Sequence, residues 1–148
     1  MKLAIVSAAI MLAFSPLSGA LAEGVSKGEI SRVLTEQGYN VQDYDASKIF
    51  VDVAQYRIVV AVDGADGDVS FLVWPGIQAD EVGYQFLNKF NNEVKFGRAY
   101  IDNDGDVAIQ MDRNSAGGVS VQNIESDFDV FLLLIQKFLS DLESQAIA

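Results

Sequence analysis

The sequence predicts an α+β domain, with one antiparallel sheet of about five strands and helices packed against it. Three observations carry this expectation. Residues 48–74 and 97–112 hold short apolar or alternating segments joined by tight Asp/Gly turns. Three other stretches place apolar residues at helical spacing. The order reads α-βββ-α-ββ-α, and strands grouped in hairpins argue for antiparallel pairing.

The first helix follows Ser26-Lys27-Gly28-Glu29, a capping box in which the hydroxyl serves an early helix N–H and the Glu reaches back. Ile30, Val33 and Leu34 form its apolar stripe, and Gly38 suits the position just past its end. Lys48 to Gln55 alternates, with Ile49, Val51 and Val53 on one side and Phe50, Asp52 and Ala54 on the other. Tyr56 to Asp63 has the continuous apolar centre Ile58-Val59-Val60-Ala61-Val62, which predicts a strand covered on both faces. The run from Asp63 to Asp68 is a dense turn signal, because Gly and Asp tolerate positive φ. Val69 to Trp74 is the return strand, stopped by Pro75-Gly76.

Asp80 is positioned to cap a second helix, whose stripe is Val82, Phe86, Leu87, Phe90 and Val94, ending near Asn91-Asn92. Gly97 to Asp102 and Asp106 to Asp112 form a hairpin across Asn103-Asp104-Gly105. After a loop at 114–118, a last helix runs from about Val121 to Glu143. Ile124, Phe128, Phe131, Leu132, Ile135, Phe138, Leu139 and Leu142 fall on its stripe. Ile58, Val60, Phe71, Phe90, Phe128, Phe131, Ile135 and Phe138 are the expected core.

The N-terminus gives an address. Met1-Lys2 is a short positive start, and Leu3 to Leu17 is apolar apart from Ser7, Ser15 and Pro16. Small residues follow, and Ala20-x-Ala22 fits a signal-peptidase site. The apolar run is shorter than the ~20 residues a membrane span needs. We therefore expect a signal peptide at 1–22, cleavage after Ala22, and a single domain at 23–148. The expected location is the periplasm or the exterior, with no stable membrane association after cleavage.

Composition narrows the chemistry. The 148-residue chain has 10 Lys and Arg against 21 Asp and Glu, a net charge of −11. Such a surface repels phosphate backbones, so nucleic acid is not an expected partner. With no histidine and no cysteine, there is no His-based triad, no thiol catalysis and no thiolate metal site. No catalytic residue, metal ligand or cofactor site is assigned, and the protein is expected not to be an enzyme.

Several patterns look like chemistry and are better read as structure. Asp102, Asp104 and Asp106 alternate as in a calcium loop, but Gly105 sits at position four and Arg113 occupies position twelve, where a bidentate Glu is required. Asp63, Asp66 and Asp68 fail in the same way. Tyr44-x-x-x-Lys48 matches a dehydrogenase pair, yet it precedes a strand and no glycine-rich nucleotide loop accompanies it. The acids are scattered, so no carboxylate pair stands out for glycoside hydrolysis. A small-ligand or calcium-binding module built on the acidic turns is the alternative to protein binding.

One surplus points outward. Val130, Leu133 and Leu134 flank the stripe of the last helix, so 130–135 is apolar all round. A helix on one sheet face needs only a stripe ~100° wide. These three are the candidate interface residues, for another protein or for a second copy of the chain.

A family resemblance rests on specific stretches. They are Gly38-Tyr39-x-Val41 after the first helix, Phe86-Leu87-Asn88-x-Phe90-Asn91, and the run from Phe96 to Asp106. The chain resembles the YbjN family of bacterial domains over roughly 26–143. The resemblance implies a fold similar to type III secretion chaperones, no catalytic residues to carry over, and a regulatory role in sensory transduction. It also implies a cytoplasmic location for most members, from which the signal peptide here departs.

Overall fold

The computed structural model describes residues 24–147, so the expected signal peptide and its cleavage site at Ala20 and Ala22 lie outside the described residues. The elements are α1 (Lys27–Glu36), β1 (Asn40–Asp43), β2 (Lys48–Val53), β3 (Tyr56–Asp63), β4 (Asp68–Val73), α2 (Ala79–Glu93), β5 (Gly97–Ile101), β6 (Val107–Arg113) and α3 (Val121–Ile147). The six strands make one antiparallel sheet in the order β1-β2-β3-β4-β6-β5. The α+β architecture is as the sequence predicts, with one strand more.

That extra strand is β1. It has a single inward apolar residue, Val41 opposite Val51, too little to show a period of two in the sequence. It forms because α1 ends abruptly. Gly38 adopts φ 93. Its N–H bonds to Thr35 O, and the Tyr39 N–H bonds to Leu34 O. This paired closure of the last carbonyls turns the chain straight into the sheet. The start of α1 is the expected capping box, with the Glu29 carboxylate accepting from the Ser26 N–H at 2.9 Å. That bond from the Ser26 backbone, joined by its hydroxyl, holds the Glu29 carboxyl below its ordinary pKa.

Two helix boundaries differ from expectation. The N-cap of α2 is Gln78 rather than Asp80, and the Glu81 carboxylate accepts from the Gln78 N–H at 2.7 Å. The apolar stripe starts at Val82 and carries no information about the turn before it. The last helix extends past Glu143 to Ile147, with no Gly or Pro to stop it. The break of α2 at Gly83, which has φ 75 and ψ 152, was not expected from its apolar stripe.

All three helices contribute to one core on one side of the sheet. The eight expected core residues, from Ile58 to Phe138, are all buried. Phe71 at the sheet centre meets Phe128 at 5.8 Å and Phe131 at 5.7 Å between ring centroids. Further along α3, Phe138 makes edge contacts with Phe86 at 5.3 Å and Phe90 at 5.2 Å, which brings in α2. The helix thus spans the sheet and the second helix with one aromatic stripe. Arg113 at the end of β6 donates twice to Asp127 of α3, both at 2.6 Å, which ties the helix to the sheet edgewise.

The expectation that β3 is covered on both faces is corrected. Ile58 and Val60 are buried under the helices, but Val59 points the other way and is half-buried, with no helix over it. Ala61 on that side is shielded by its strand neighbours Lys48 and Ser70. A continuous apolar run requires two non-aqueous environments only if the second face is large; here short residues and cross-strand neighbours suffice.

Candidate functional site

The face of the sheet away from the helices is open. Strand register builds it in rows. One row runs Gln42, Phe50, Val59, Leu72, Gln110 and Arg98 across all six strands. Phe50, Val59 and Leu72 are half-buried and stand outside the core cluster. Just past the end of β4, Trp74 lies 43% exposed. Phe50, Tyr56, Val59, Trp74 and Pro75 wall a recess of about 480 Å³, with Arg57 at its rim. This apolar saddle is short, and it carries more aromatic surface than a solvated sheet face requires.

Polar networks bracket the saddle on both sides. At the β1–β3 side, Asp52 accepts from Arg57 Nε at 2.8 Å, Asn40 at 2.8 Å and Gln42 at 2.9 Å. The Arg57 guanidinium also lies 5.3 Å above the centre of the Phe50 ring, a cation–π contact. Tyr44 also packs against Phe50, with ring centroids 4.5 Å apart. At the β4–β6–β5 side, Asp112 accepts from Ser70 at 2.8 Å, Gln110 at 2.8 Å and Arg98 at 3.0 Å. The Tyr100 hydroxyl donates to Gln110 at 2.9 Å. The Trp74 indole N–H donates to Asp102 at 2.9 Å, which fixes the ring against the sheet.

These carboxylates are tuned to stay ionised. Arg57 holds the Asp52 carboxyl below its ordinary pKa. Burial pushes Asp112 up, but the hydrogen bonds from Gln110 and Ser70 and the Arg98 charge outweigh it, and the net shift is down. Asp102 is lowered by the Trp74 N–H first, then by the Asp106 N–H. A general acid needs a carboxyl whose pKa is raised toward neutrality. These three are moved the other way, and each already has donors on its oxygens. The face is arranged to present fixed charges and an apolar centre, which is the anatomy of a binding surface.

In the acidic turn at 102–106 the Asp102 and Asp106 carboxylates are engaged in structural hydrogen bonds. Asp102 Oδ1 accepts from the Asp104 and Asp106 N–H groups, both at 3.0 Å, and Asp106 accepts from Gln78. Gly105 takes φ 89, the left-handed turn position that a side chain resists. Among the described residues no three acidic side chains converge where they could hold a metal ion.

The structure separates the three candidate interface residues. Leu134 is 7% exposed and faces the sheet, where the absent side chain of Gly97 makes room for it. A Cβ at Gly97 would come 2.5 Å from Leu134 Cδ1. Val130 is half-buried against the core. Leu133 alone points outward, 62% exposed. Beside this contact, Phe96 immediately precedes Gly97, is 73% exposed and adopts φ 70. That conformation costs a bulky residue about 1–3 kcal/mol.

Sequence reasoning did not single out Phe50, Arg57 or Trp74. The available signal was the second set of the alternation: Phe50 on the polar side of its strand, and a Trp just past the end of another.

No helix of the described residues is long and apolar enough to cross a membrane. Among protein families, the YbjN model, described as "Putative bacterial sensory transduction regulator", matches residues 26–144. No curated protein and no solved structure matches the chain.

Proposed function

The chain belongs to the YbjN family, and from that premise we propose that it is a non-enzymatic regulatory or adaptor domain that works in the periplasm and binds another polypeptide on the open face of its sheet. The observation that supports this reading most is the apolar saddle of Phe50, Val59, Leu72 and Trp74, flanked by the Arg57–Asp52 and Arg98–Asp112 ion pairs and the Trp74–Asp102 hydrogen bond. An apolar centre inside a polar rim is how protein interfaces are built, and a rigid aromatic anchor loses little entropy on binding. The partner has a neutral or basic surface, because a net charge of −11 repels an acidic one.

The test is site-specific crosslinking in producing cells. A photoreactive residue at Leu72 is expected to capture one discrete polypeptide in the osmotic-shock fluid. Trp74→Asp should abolish that adduct, and the same photoreactive residue at Glu36 on α1 should not give it. Absence of any discrete adduct at Leu72, or the same adduct from Glu36, would refute the assignment. Export is checked separately: mass spectrometry should find Glu23 as the N-terminus of the shock-fluid protein, whereas the intact chain in the membrane fraction would count against it.

A further inference from the structure

We propose that the recess on the open sheet face takes a proline-rich segment of the partner in the polyproline II conformation, with the partner's basic residues outside the recess. This rests on the docking reading above and names what docks. The recess has a volume of about 480 Å³, and Phe50, Val59, Trp74 and Pro75 give it apolar walls.

Its lining selects against a charged occupant. The chain has 21 Asp and Glu, yet among the described residues no carboxylate lines the recess. Two carboxylates hold its walls instead. Asp52 accepts from Arg57 Nε at 2.8 Å, and Asp102 accepts from the Trp74 indole N–H at 2.9 Å. The Arg57 guanidinium already stands 5.3 Å above the centre of the Phe50 ring, where a Lys or Arg of the partner would otherwise stack. An anion would meet a guanidinium neutralised by Asp52, on a protein of net charge −11. A neutral segment is what remains. Arg57 engages Asp52 through Nε and Nη2, which leaves Nη1 to donate, and the exposed Gln55 brings an amide to the rim. Proline-rich backbone supplies carbonyl acceptors to these donors. It carries few N–H groups of its own, so little is left unpaired when water is displaced.

Spacing points the same way. Phe50 is on β2 and Trp74 follows β4, and these two strands lie on either side of β3. Two strand spacings are roughly 10 Å. Polyproline II advances roughly 9 Å in a three-residue turn. Prolines three apart therefore reach one toward Phe50 and the other toward Trp74. Such a segment is extended before it binds and loses little freedom on docking, and the bonds from Arg57 and Trp74 have already ordered the walls. The turn that carries Gln55 is strained, since Ala54 takes φ 52, and strain of this kind concentrates at binding sites.

Trp74 is the only tryptophan, so its emission reads occupancy of the recess. The probe is a decaproline with two lysines at each end. The control replaces every second proline by alanine, which keeps the charge and removes every pair of prolines three apart. Decaproline should shift the emission saturably, and the control should bind about tenfold more weakly. Phe50→Ala should weaken decaproline about tenfold with an unchanged circular dichroism spectrum. No shift at millimolar decaproline, or equal affinity for the two peptides, would overturn the proposal. If the Leu72 adduct forms while decaproline fails, the docking reading stands and this inference falls. Saturable decaproline binding without the adduct would support the chemistry of the recess and refute the partner in cells.

Discussion

Two neighbouring rows of the sheet, one residue apart on every strand, have opposite fates. Ile49, Val60, Phe71 and Met111 sit opposite one another across β2, β3, β4 and β6, and none is more than 4% exposed. Phe50, Val59, Leu72 and Gln110 form the next row and are all half-exposed. The side chains of the two rows are similar in size and, for three of four positions, in polarity. Composition therefore does not separate them. The difference is what lies above: three helices on one side, and ion pairs with water on the other. Because side chains alternate across a strand, a one-residue slip would exchange the rows. Register is held by the large aromatic contacts of the inner face, and the outer face is left free to carry recognition.

The largest expected effect tests whether the inner row and its helix are the stabilising half. Phe131→Ala and Phe138→Ala should each cost about 3–5 kcal/mol by lost burial and a residual cavity. Leu72→Ala, on the outer row, should cost under about 1 kcal/mol, because the site can fill with water. Chemical denaturation of the three variants measures this. Comparable losses at Leu72 and Phe131 would erase the distinction between the faces.

A smaller effect probes how closely α3 sits on the inner face. Gly97→Ala would place its Cβ 2.5 Å from Leu134 Cδ1 and 3.0 Å from Gln110 O. We expect a loss of about 1–3 kcal/mol from overpacking, partly relieved when Leu134→Ala is added. Additive losses in the double variant would show that Leu134 does not rest on Gly97.

The smallest effect belongs to the outer face and is read by pH. Trp74 is the only tryptophan, and its indole N–H donates to Asp102. The folded pKa of Asp102 is depressed below 3.8, so its contribution is present above that value and lost as pH falls through the lower folded value. Emission of the folded protein should change with a midpoint below 3.8, and Asp102→Asn should remove the transition. A midpoint above 3.8 would mean that the indole bond does not hold the carboxylate.

The two ends of α1 and the hairpin turns were the most legible part of the sequence. The Ser26 capping box, the Gly38 stop and the Gly105 turn are each set by three or four adjacent residues, and each stands where local chemistry placed it. The inward stripe of α3 was equally plain, since five buried positions at helical spacing admit one face only. The candidate site was much less legible. Trp74 acquires its role from Asp102, 28 residues away, and Arg57 from Phe50 and Asp52 on another strand. Such partners meet only through strand register.

The sequence alone therefore determined the three helices, five of the six strands, the order of those elements, the hairpin turns and the buried stripe. Those depend on local dihedral preference and on periodicity, which a short window contains. Tertiary structure decided the rest. It sent Leu134 into the space above Gly97 and left its neighbour Leu133 in water, although the two are chemically identical. It closed the β5 edge with Asn91, whose side-chain amide donates to Ala99 O at 2.9 Å and whose oxygen accepts from the Ala99 N–H at 2.8 Å. It also left one sheet face uncovered. Each outcome depends on which surfaces far apart in the chain come together. Burial and hydrogen-bond satisfaction are properties of that assembled arrangement, and no single segment contains them.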